Sequence, residues 1–369
     1  MKVLITGADG FLGRNLAVKL GELAEVNVLG FTRRSSTQDL QRLAAAADFI
    51  FHLAGVNRPD DVAEFTAGNA DLTVRLCNAV KASGRPVPIA YASSIQAEHD
   101  NPYGKSKLQA EQELGRLNAA MGNALHVFRL PNVFGKWCRP NYNSVVATFC
   151  YNIARELPIR VNDAATGLNL VYVDDLMASF AALLQETGKM QVEFPTVTPQ
   201  YSITLGELAG QLRAFRESRV TLISERVGDG LPRALYATYV SYLPTAEFAY
   251  DVPVHGDPRG VFVEMLKTKD SGQFSYFTAH PGVTRGGHYH HSKTEKFLVI
   301  KGQAHFRFRQ LVTGEFSEVF TSGERPRIVE TIPGWAHDIT NVGPDEMVVM
   351  LWANEIFDRE RPDTIARRL

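Results

Sequence analysis

The sequence predicts an α/β protein in which a doubly wound parallel sheet is followed by an all-β domain. Three observations lead there. The first half alternates short β-rich runs with helical periods. Its opening run, Met1-Lys2-Val3-Leu4-Ile5-Thr6, passes into closely spaced glycines and then a helix. After about Tyr242 the texture changes to short β-rich segments broken by Gly and Pro. Strands alternating with helices indicate a parallel sheet, and short punctuated strands indicate an antiparallel sandwich or barrel.

In chain order, Val3–Thr6, Val26–Phe31, Phe49–Leu53, Ile89–Ala92 and His126–Arg129 read as buried strands, with helices over Leu12–Leu23, Leu72–Ser83 and Lys105–Met121. Gln273–His280, Lys296–Lys301, Ala304–Gln310 and Met347–Trp352 read as strands of the second domain. Pro244 and Pro253 punctuate Tyr242–Val254, so the expected domains are residues 1–243 and 244–369. The net charge of −1 gives no reason to expect nucleic acid or an acidic membrane surface as a partner. No apolar run approaches the roughly 18 residues that span a bilayer, and the opening strand is too short in apolar residues for a secretory signal. Cys77, Cys138 and Cys150 share no metal-ligand spacing, and an odd count suits a reducing compartment. A cytoplasmic location is expected.

The glycine loop is Gly7-Ala8-Asp9-Gly10-Phe11-Leu12-Gly13, with the spacing G-x-x-G-x-x-G after the first strand. Glycines let backbone approach a pyrophosphate, which then rests on a helix N-terminus. A dinucleotide is therefore expected here. The next strand ends Thr32-Arg33-Arg34, where an acid would favour the ribose hydroxyl of NAD. Arg33, with Arg34 beside it, instead favours a 2′-phosphate, hence NADP(H).

Tyr103-Gly104-Lys105-Ser106-Lys107 is Y-x-x-x-K at the head of a helix, and it follows Ala92-Ser93-Ser94 at the close of a strand. An i, i+4 pair shares one helix face. A cation beside a phenol is expected to lower its pKa from about 10 and make it usable in proton transfer. On these residues, and on His52-Leu53-Ala54-Gly55, Asn69 and Pro131-Asn132-Val133-Phe134-Gly135, the first ~240 residues resemble the extended short-chain dehydrogenase/reductases, a Rossmann-type family acting largely on nucleotide sugars. The resemblance implies that Ser94 orients a substrate carbonyl, Tyr103 transfers the proton and Lys107 holds the nicotinamide ribose. It also implies that Leu53, Ala54 and Asn132 line the cofactor and that Asp48 lies near its adenine. The segment Lys136–Ser144 combines cations, an aromatic and amides, which suits either a nucleotide diphosphate or an ordinary surface loop.

A second constellation follows: Gly282-x5-His288-x-His290-x4-Glu295-x6-Gly302, then Pro333-Gly334-x2-His337-x3-Asn341. His288 and His290, two apart on a strand, face one side; Glu295 and His337 join from neighbouring strands. Three imidazoles and a carboxylate suit zinc, iron or manganese. His291 is a further candidate as ligand or base. Both spacings resemble the cupin (jelly-roll) motifs, apart from the directly joined Pro333-Gly334. Many sugar-epimerase cupins work without metal, so that alternative stays open; of the metals, zinc suits proton removal beside a ketone.

The whole chain resembles bifunctional capsule and O-antigen enzymes of the CapF/WbjC type. That resemblance implies a UDP-linked 4-ketosugar substrate, C3 epimerisation in the cupin, reduction of C4 by NADPH to UDP-2-acetamido-2,6-dideoxy-L-talose, and a homodimer. A reductase whose cupin merely dimerises is the competing expectation.

Overall fold

The protein is described by a computed structural model covering residues 1–59, 61–185, 191–248, 250–291, 293–311, 313–360 and 362–369. Ala249, inside the expected linker, lies outside the described residues. The chain forms two compact units, one of Met1–Leu212 with Arg233–Pro244 and one of Arg213–Pro232 with Thr245–Leu369. The expected boundary assigns Arg213–Pro232 to the first domain, whereas this segment packs within the second unit. Its short strand adds to a sheet there, which periodicity cannot reveal.

In the first unit the strands are β1 (Lys2–Thr6), β2 (Asn27–Phe31), β3 (Phe49–His52), β4 (Ile89–Ser94), β5 (Leu125–Leu130), β6 (Asn132–Phe134), β7 (Gly167–Tyr172), β8 (Val192–Glu193) and β9 (Tyr201–Thr204). A parallel sheet runs β2-β1-β3-β4-β5-β8, and β6-β7-β9 form a small side sheet. The period of two in β1 sorts its side chains. Leu4 joins one core with Leu40, Ile50, Leu76 and Leu114. Val3 and Ile5 join the other with Leu16, Phe51, Phe128 and Phe180. Helices therefore cover both faces, and each fully buried Leu or Phe contributes about 1.5–3 kcal/mol. From β2 the chain crosses over β1 to β3, so the switch in winding falls between β1 and β3. Ligands of doubly wound sheets bind at that crevice, beyond the strand C-termini.

Two elements extend past expectation for local reasons. Helix Pro102–Met121 starts three residues before Lys105 because the Asn101 side chain accepts from Gly104 N at 2.8 Å and Pro102 occupies the first turn. Strand β4 continues to Ser94 because its register with β5 holds as far as Ser94↔Leu130.

The second unit contains β10 (Ile223–Ser224), β11 (Val254–Asp257), β12 (Gly260–Thr268), β13 (Gly272–Ala279), β14 (Thr284–Tyr289), β15 (Glu295–Lys301), β16 (Gln303–Gln310), β17 (Phe316–Ser322), β18 (Ile328–Glu330), β19 (Trp335–Asn341), β20 (Met347–Ala353) and β21 (Ile365–Ala366). One sheet runs β10-β12-β13-β20-β15-β18, with β11 beside β12; the other runs β17-β16-β19-β14-β21. Phe277, Phe297, Val299, Phe306, Ile339 and Val349 fill the space between them. This is the expected jelly-roll sandwich. Among the described residues no helix is long and apolar enough to cross a membrane.

Candidate functional site

The glycine loop sits at the β1/β3 crevice. Gly7 has φ +71°, and a Cβ there would stand 2.8 Å from the Cα of Ala54. A Cβ on Gly13 would come within 2.1 Å of the Gly7 carbonyl oxygen. Both positions therefore require glycine, the first for backbone conformation and the second for the close return of the helix. Gly10 caps helix Phe11–Gly21 without a side-chain hydrogen bond. The backbone N–H groups of a helix's first turn, here Phe11, Leu12 and Gly13, have no carbonyl four residues back within the helix and can face an anion. Leu53 and Ala54 close the other side: Leu53 N donates to Thr6 O, and Ala54 N to Thr6 Oγ1. Beyond β2, Arg33 and Arg34 are exposed, and neither pairs with a carboxylate among the described residues. Asn132 opens β6, donating to Asn169 O.

Asp48 is a correction. It precedes β3, so it lies at the start of the parallel strands, whereas the glycine loop lies at their ends. Its carboxylate accepts from Lys2 N and pairs with Arg85. A four-residue strand spans about 13 Å, which takes Asp48 out of the cofactor set. The residues before β3 are loop in either reading, and only the strand's direction tells which end an acid occupies.

Ser94, Tyr103 and Lys107 converge on one spot. Ser94 ends β4, caps the 3₁₀ turn Ile95–Glu98 by accepting from Gln96 N, and stands beside the Tyr103 phenol. Gly104 makes this approach possible: a Cβ there would stand 2.0 Å from Gln96 O. Lys107 is buried, donates to Ala92 O at 2.8 Å and lies 4.9 Å from the centre of the Tyr91 ring. The neighbouring Ser93 is turned the other way, donating to Glu111, which Arg129 grips through two nitrogens.

The electrostatics depart from expectation. Burial raises the Tyr103 pKa above its ordinary 10, and the Ser94 hydroxyl beside it only partly offsets this. Burial also lowers Lys107 to about 8, with Glu111 acting in the opposite direction. Tyr103 is thus held as a neutral phenol rather than drawn toward phenolate. His52 is buried between Thr6 Oγ1 and Thr73 Oγ1, and burial drives its pKa down to about 3. Asn69 accepts from Val56 N and donates to Ser106 Oγ, which fixes the turn beside Lys107.

Sequence reasoning missed Glu111, four residues beyond Lys107 on the same helix face; extending the i, i+4 series would have found it. It also missed Arg58, which the fold brings to Tyr142 in the Lys136–Ser144 loop: Tyr142 OH donates to Arg58 O, and Arg58 Nη1 to Tyr142 O. Within that loop Lys136 pairs with Asp174, and Arg139 stacks on Tyr142.

In the second unit His288, His290, Glu295 and His337 offer donor atoms that all lie within 4.8 Å of one another. His288 and His337 stand opposite each other on β14 and β19. Glu295 comes from β15, in the facing sheet rather than on a neighbouring strand of the same sheet. His290 Nε2 is 3.1 Å from Glu295 Oε2; His337 Nε2, at 3.6 Å, is beyond hydrogen-bonding distance and acts on it electrostatically. Among the described residues His337 Nε2, which is buried, has no hydrogen-bond partner, as a ligand nitrogen facing an ion would have none. Three imidazoles and one carboxylate at these separations suit a divalent ion. Burial lowers His288 to about 4, leaving a neutral imidazole. Burial acts to raise Glu295, but His290, His337 and Lys293 outweigh it and hold the carboxylate ionised. His291 is exposed and set against Tyr289, outside this group.

Residues 3–193 match the NAD dependent epimerase/dehydratase family, and residues 255–365 match the polysaccharide biosynthesis C-terminal domain. The chain is 60% identical over 99% of its length, and 98% of the relative's, to UDP-2-acetamido-2,6-beta-L-arabino-hexul-4-ose reductase of Pseudomonas aeruginosa. It superposes on the capsular polysaccharide assembling protein CapF of Staphylococcus aureus with a TM-score of 0.93 and 41% identity, covering 100% of both chains. Over 66% of its length and 99% of the other chain it shares a fold, at TM-score 0.57 and 16% identity, with UDP-glucuronic acid 4-epimerase of Bacillus cereus.

Proposed function

The chain belongs to the NAD dependent epimerase/dehydratase family, as a CapF-type two-part member, and on that premise we propose that it is a bifunctional enzyme making a capsule or O-antigen sugar. The second unit epimerises C3 of a UDP-2-acetamido-2,6-dideoxy-4-ketohexose. The first reduces the C4 ketone to give UDP-2-acetamido-2,6-dideoxy-L-talose. The observation that carries this reading is the pairing of a Ser94–Tyr103–Lys107 set with a four-donor cluster in a chain 60% identical to a reductase of such a ketosugar.

The ketone makes both steps possible. It acidifies the C3 hydrogen, which leaves as a proton and returns to the opposite face. Reduction then removes the ketone, so epimerisation must come first. When bound, the nicotinamide supplies the hydride for C4. The carbonyl oxygen receives a hydrogen bond from Ser94 and the proton of the neutral Tyr103 phenol. Lys107, one turn along, holds the nicotinamide ribose. The glycine loop takes the pyrophosphate, and Arg33 supports NADPH over NADH by facing a 2′-phosphate.

His288, His290, Glu295 and His337 would hold a divalent ion, for which zinc suits the donor set. It would supply Lewis-acid stabilisation to the enolate formed when the C3 proton leaves. Aromatic and aliphatic side chains exposed on the sheet edges β17 and β18, Phe316, Phe320 and Ile328, support a homodimer formed through the second unit. This reading places the enzyme in the cytoplasm, where nucleotide sugars and reduced nicotinamide are made.

Nuclear magnetic resonance of the ketosugar with the enzyme in D₂O tests both halves. Deuterium at C3 without NADPH, and a C4 alcohol only with it, are expected. Reduction without any C3 exchange would leave a reductase with a non-catalytic cupin.

A further inference from the structure

We infer that the strap Asp363–Arg367, together with Lys293, positions the donors of the candidate metal centre. The inference rests on the reading of those four residues as a metal site and deepens it.

The strap follows the ligand-bearing segment residue by residue. β21 pairs antiparallel with the end of β14, His288 opposite Ala366 and Tyr289 opposite Ile365, and Arg367 N donates to Gly287 O at 2.8 Å. The Asp363 carboxylate accepts from His291 N and Lys293 N, each at 2.8 Å. The Asp363 carbonyl oxygen lies 2.5 Å from His290 Nδ1. Lys293, buried, reaches Thr364 Oγ1 at 3.3 Å and Glu295 Oε1 at 3.2 Å.

Each contact constrains one donor. A carbonyl oxygen can only accept, so a proton of His290 must sit on Nδ1, which leaves Nε2 as the nitrogen turned to the cluster and available to an ion. Lys293 occupies Oε1 of Glu295, which leaves Oε2, the atom nearest His290 and His337, as the single coordinating oxygen. The strap also gives β14 a second neighbour. Without it β14 would be an edge strand, interrupted just before His288 by Gly286 and Gly287 at φ +90° and +77°, where its register with β19 shifts. Two successive left-handed glycines are the most permissive hinge a chain can place before a ligand, and β21 is what pins the strand beyond them.

The test uses the full chain loaded with zinc or cobalt(II), without substrate. Zinc affinity is measured by competition with a chelating dye, and the cobalt(II) visible spectrum reports the coordination. Three variants are compared: deletion of residues 363–369, Asp363→Ala and Lys293→Met. Circular dichroism of the β-sheet signal controls for folding. The deletion is expected to weaken zinc about 10–100-fold, as lost outer-shell partners do, and to change the cobalt spectrum. Lys293→Met is expected to weaken zinc about tenfold, and Asp363→Ala, which keeps the carbonyl, by less than the deletion. If a folded Lys293→Met chain and a folded deletion bind zinc as tightly as the parent with the parent's cobalt spectrum, the positioning role is wrong. A parent that takes up neither metal overturns the metal reading itself, and the inference with it.

Discussion

Burial takes the Lys107 ammonium down to about 8, and that sets stability against chemistry at a single side chain. Between about 8 and the ordinary 10.5 the unfolded chain binds a proton that the folded chain does not, so stability rises with pH across that window. Below it the buried charge is a cost. Lys107→Met is expected to stabilise the fold by on the order of 1 kcal/mol, about 2–4 °C in melting midpoint, while lowering reduction at least ~10²-fold. The rate of reduction by the parent should fall on its alkaline side near pH 8, as Lys107 loses its charge; a flat profile to pH 10 would exclude the role. His52 behaves differently. Its folded pKa of about 3 lies below the ordinary 6.5, so stability is complete above 6.5 and is lost as pH falls toward 3. Urea unfolding should show a loss on the order of 1–2 kcal/mol between pH 6.5 and 5, and His52→Asn should flatten it. Arg33→Ala should weaken NADPH about tenfold, the loss of one charge-assisted contact, and leave NADH nearly unchanged in a fluorescence titration. At this scale the identities Ser94, Tyr103 and Lys107 were legible from the sequence. The sign of the Tyr103 shift was not, because it depends on how much protein surrounds the phenol, and no local spacing encodes that.

Among elements, helix Pro102–Met121 shows what pattern reading catches and what it misses. The Y-x-x-x-K face was plain, but the reason Tyr103 reaches Ser94 is Gly104, whose missing side chain lets the helix settle on the Ile95–Glu98 turn. Gly104→Ala places a carbon 2.0 Å from a backbone oxygen, so the helix must shift. Reduction should fall at least ~10-fold, while C3 exchange, housed in the other unit, persists; equal loss of both would point to general unfolding. Asp48 failed for a related reason. An acid beside a strand can sit at either end of a sheet, and only strand direction distinguishes cofactor side from far side. In the second unit the cupin spacings found all four donors, yet Glu295 proved to come from the facing sheet. Spacing within a motif is blind to which layer its strands join. Lys293 and Asp363 stayed invisible because 70 residues separate two groups that share a hydrogen bond.

For the molecule as a whole, periodicity marked the change from α/β to β texture but not the way the units share the chain. Arg213–Pro232 packs within the second unit although Arg233–Pro244 returns to the first. Strand β10 pairs with the end of β12, and Arg216 pairs with Glu247. A fragment of residues 245–369 lacks those partners. It should melt lower than a fragment of residues 213–369, by about 2–4 °C for each kcal/mol lost in a domain this size; equal midpoints would show that the earlier segment adds nothing. The same interleaving has a consequence during synthesis. As the chain leaves the ribosome, Leu222 emerges well before Lys267, whose backbone N–H donates to the Leu222 carbonyl. At about 5–20 residues per second, β12 follows Pro232 by roughly 2–7 s. Through that interval the nascent protein holds a stretch of the second unit waiting for its partner, while the first unit is still closing over Arg233–Pro244. Translation order and assembly order therefore cross, and slow codons placed between these two segments would lengthen the exposure of an unpaired strand.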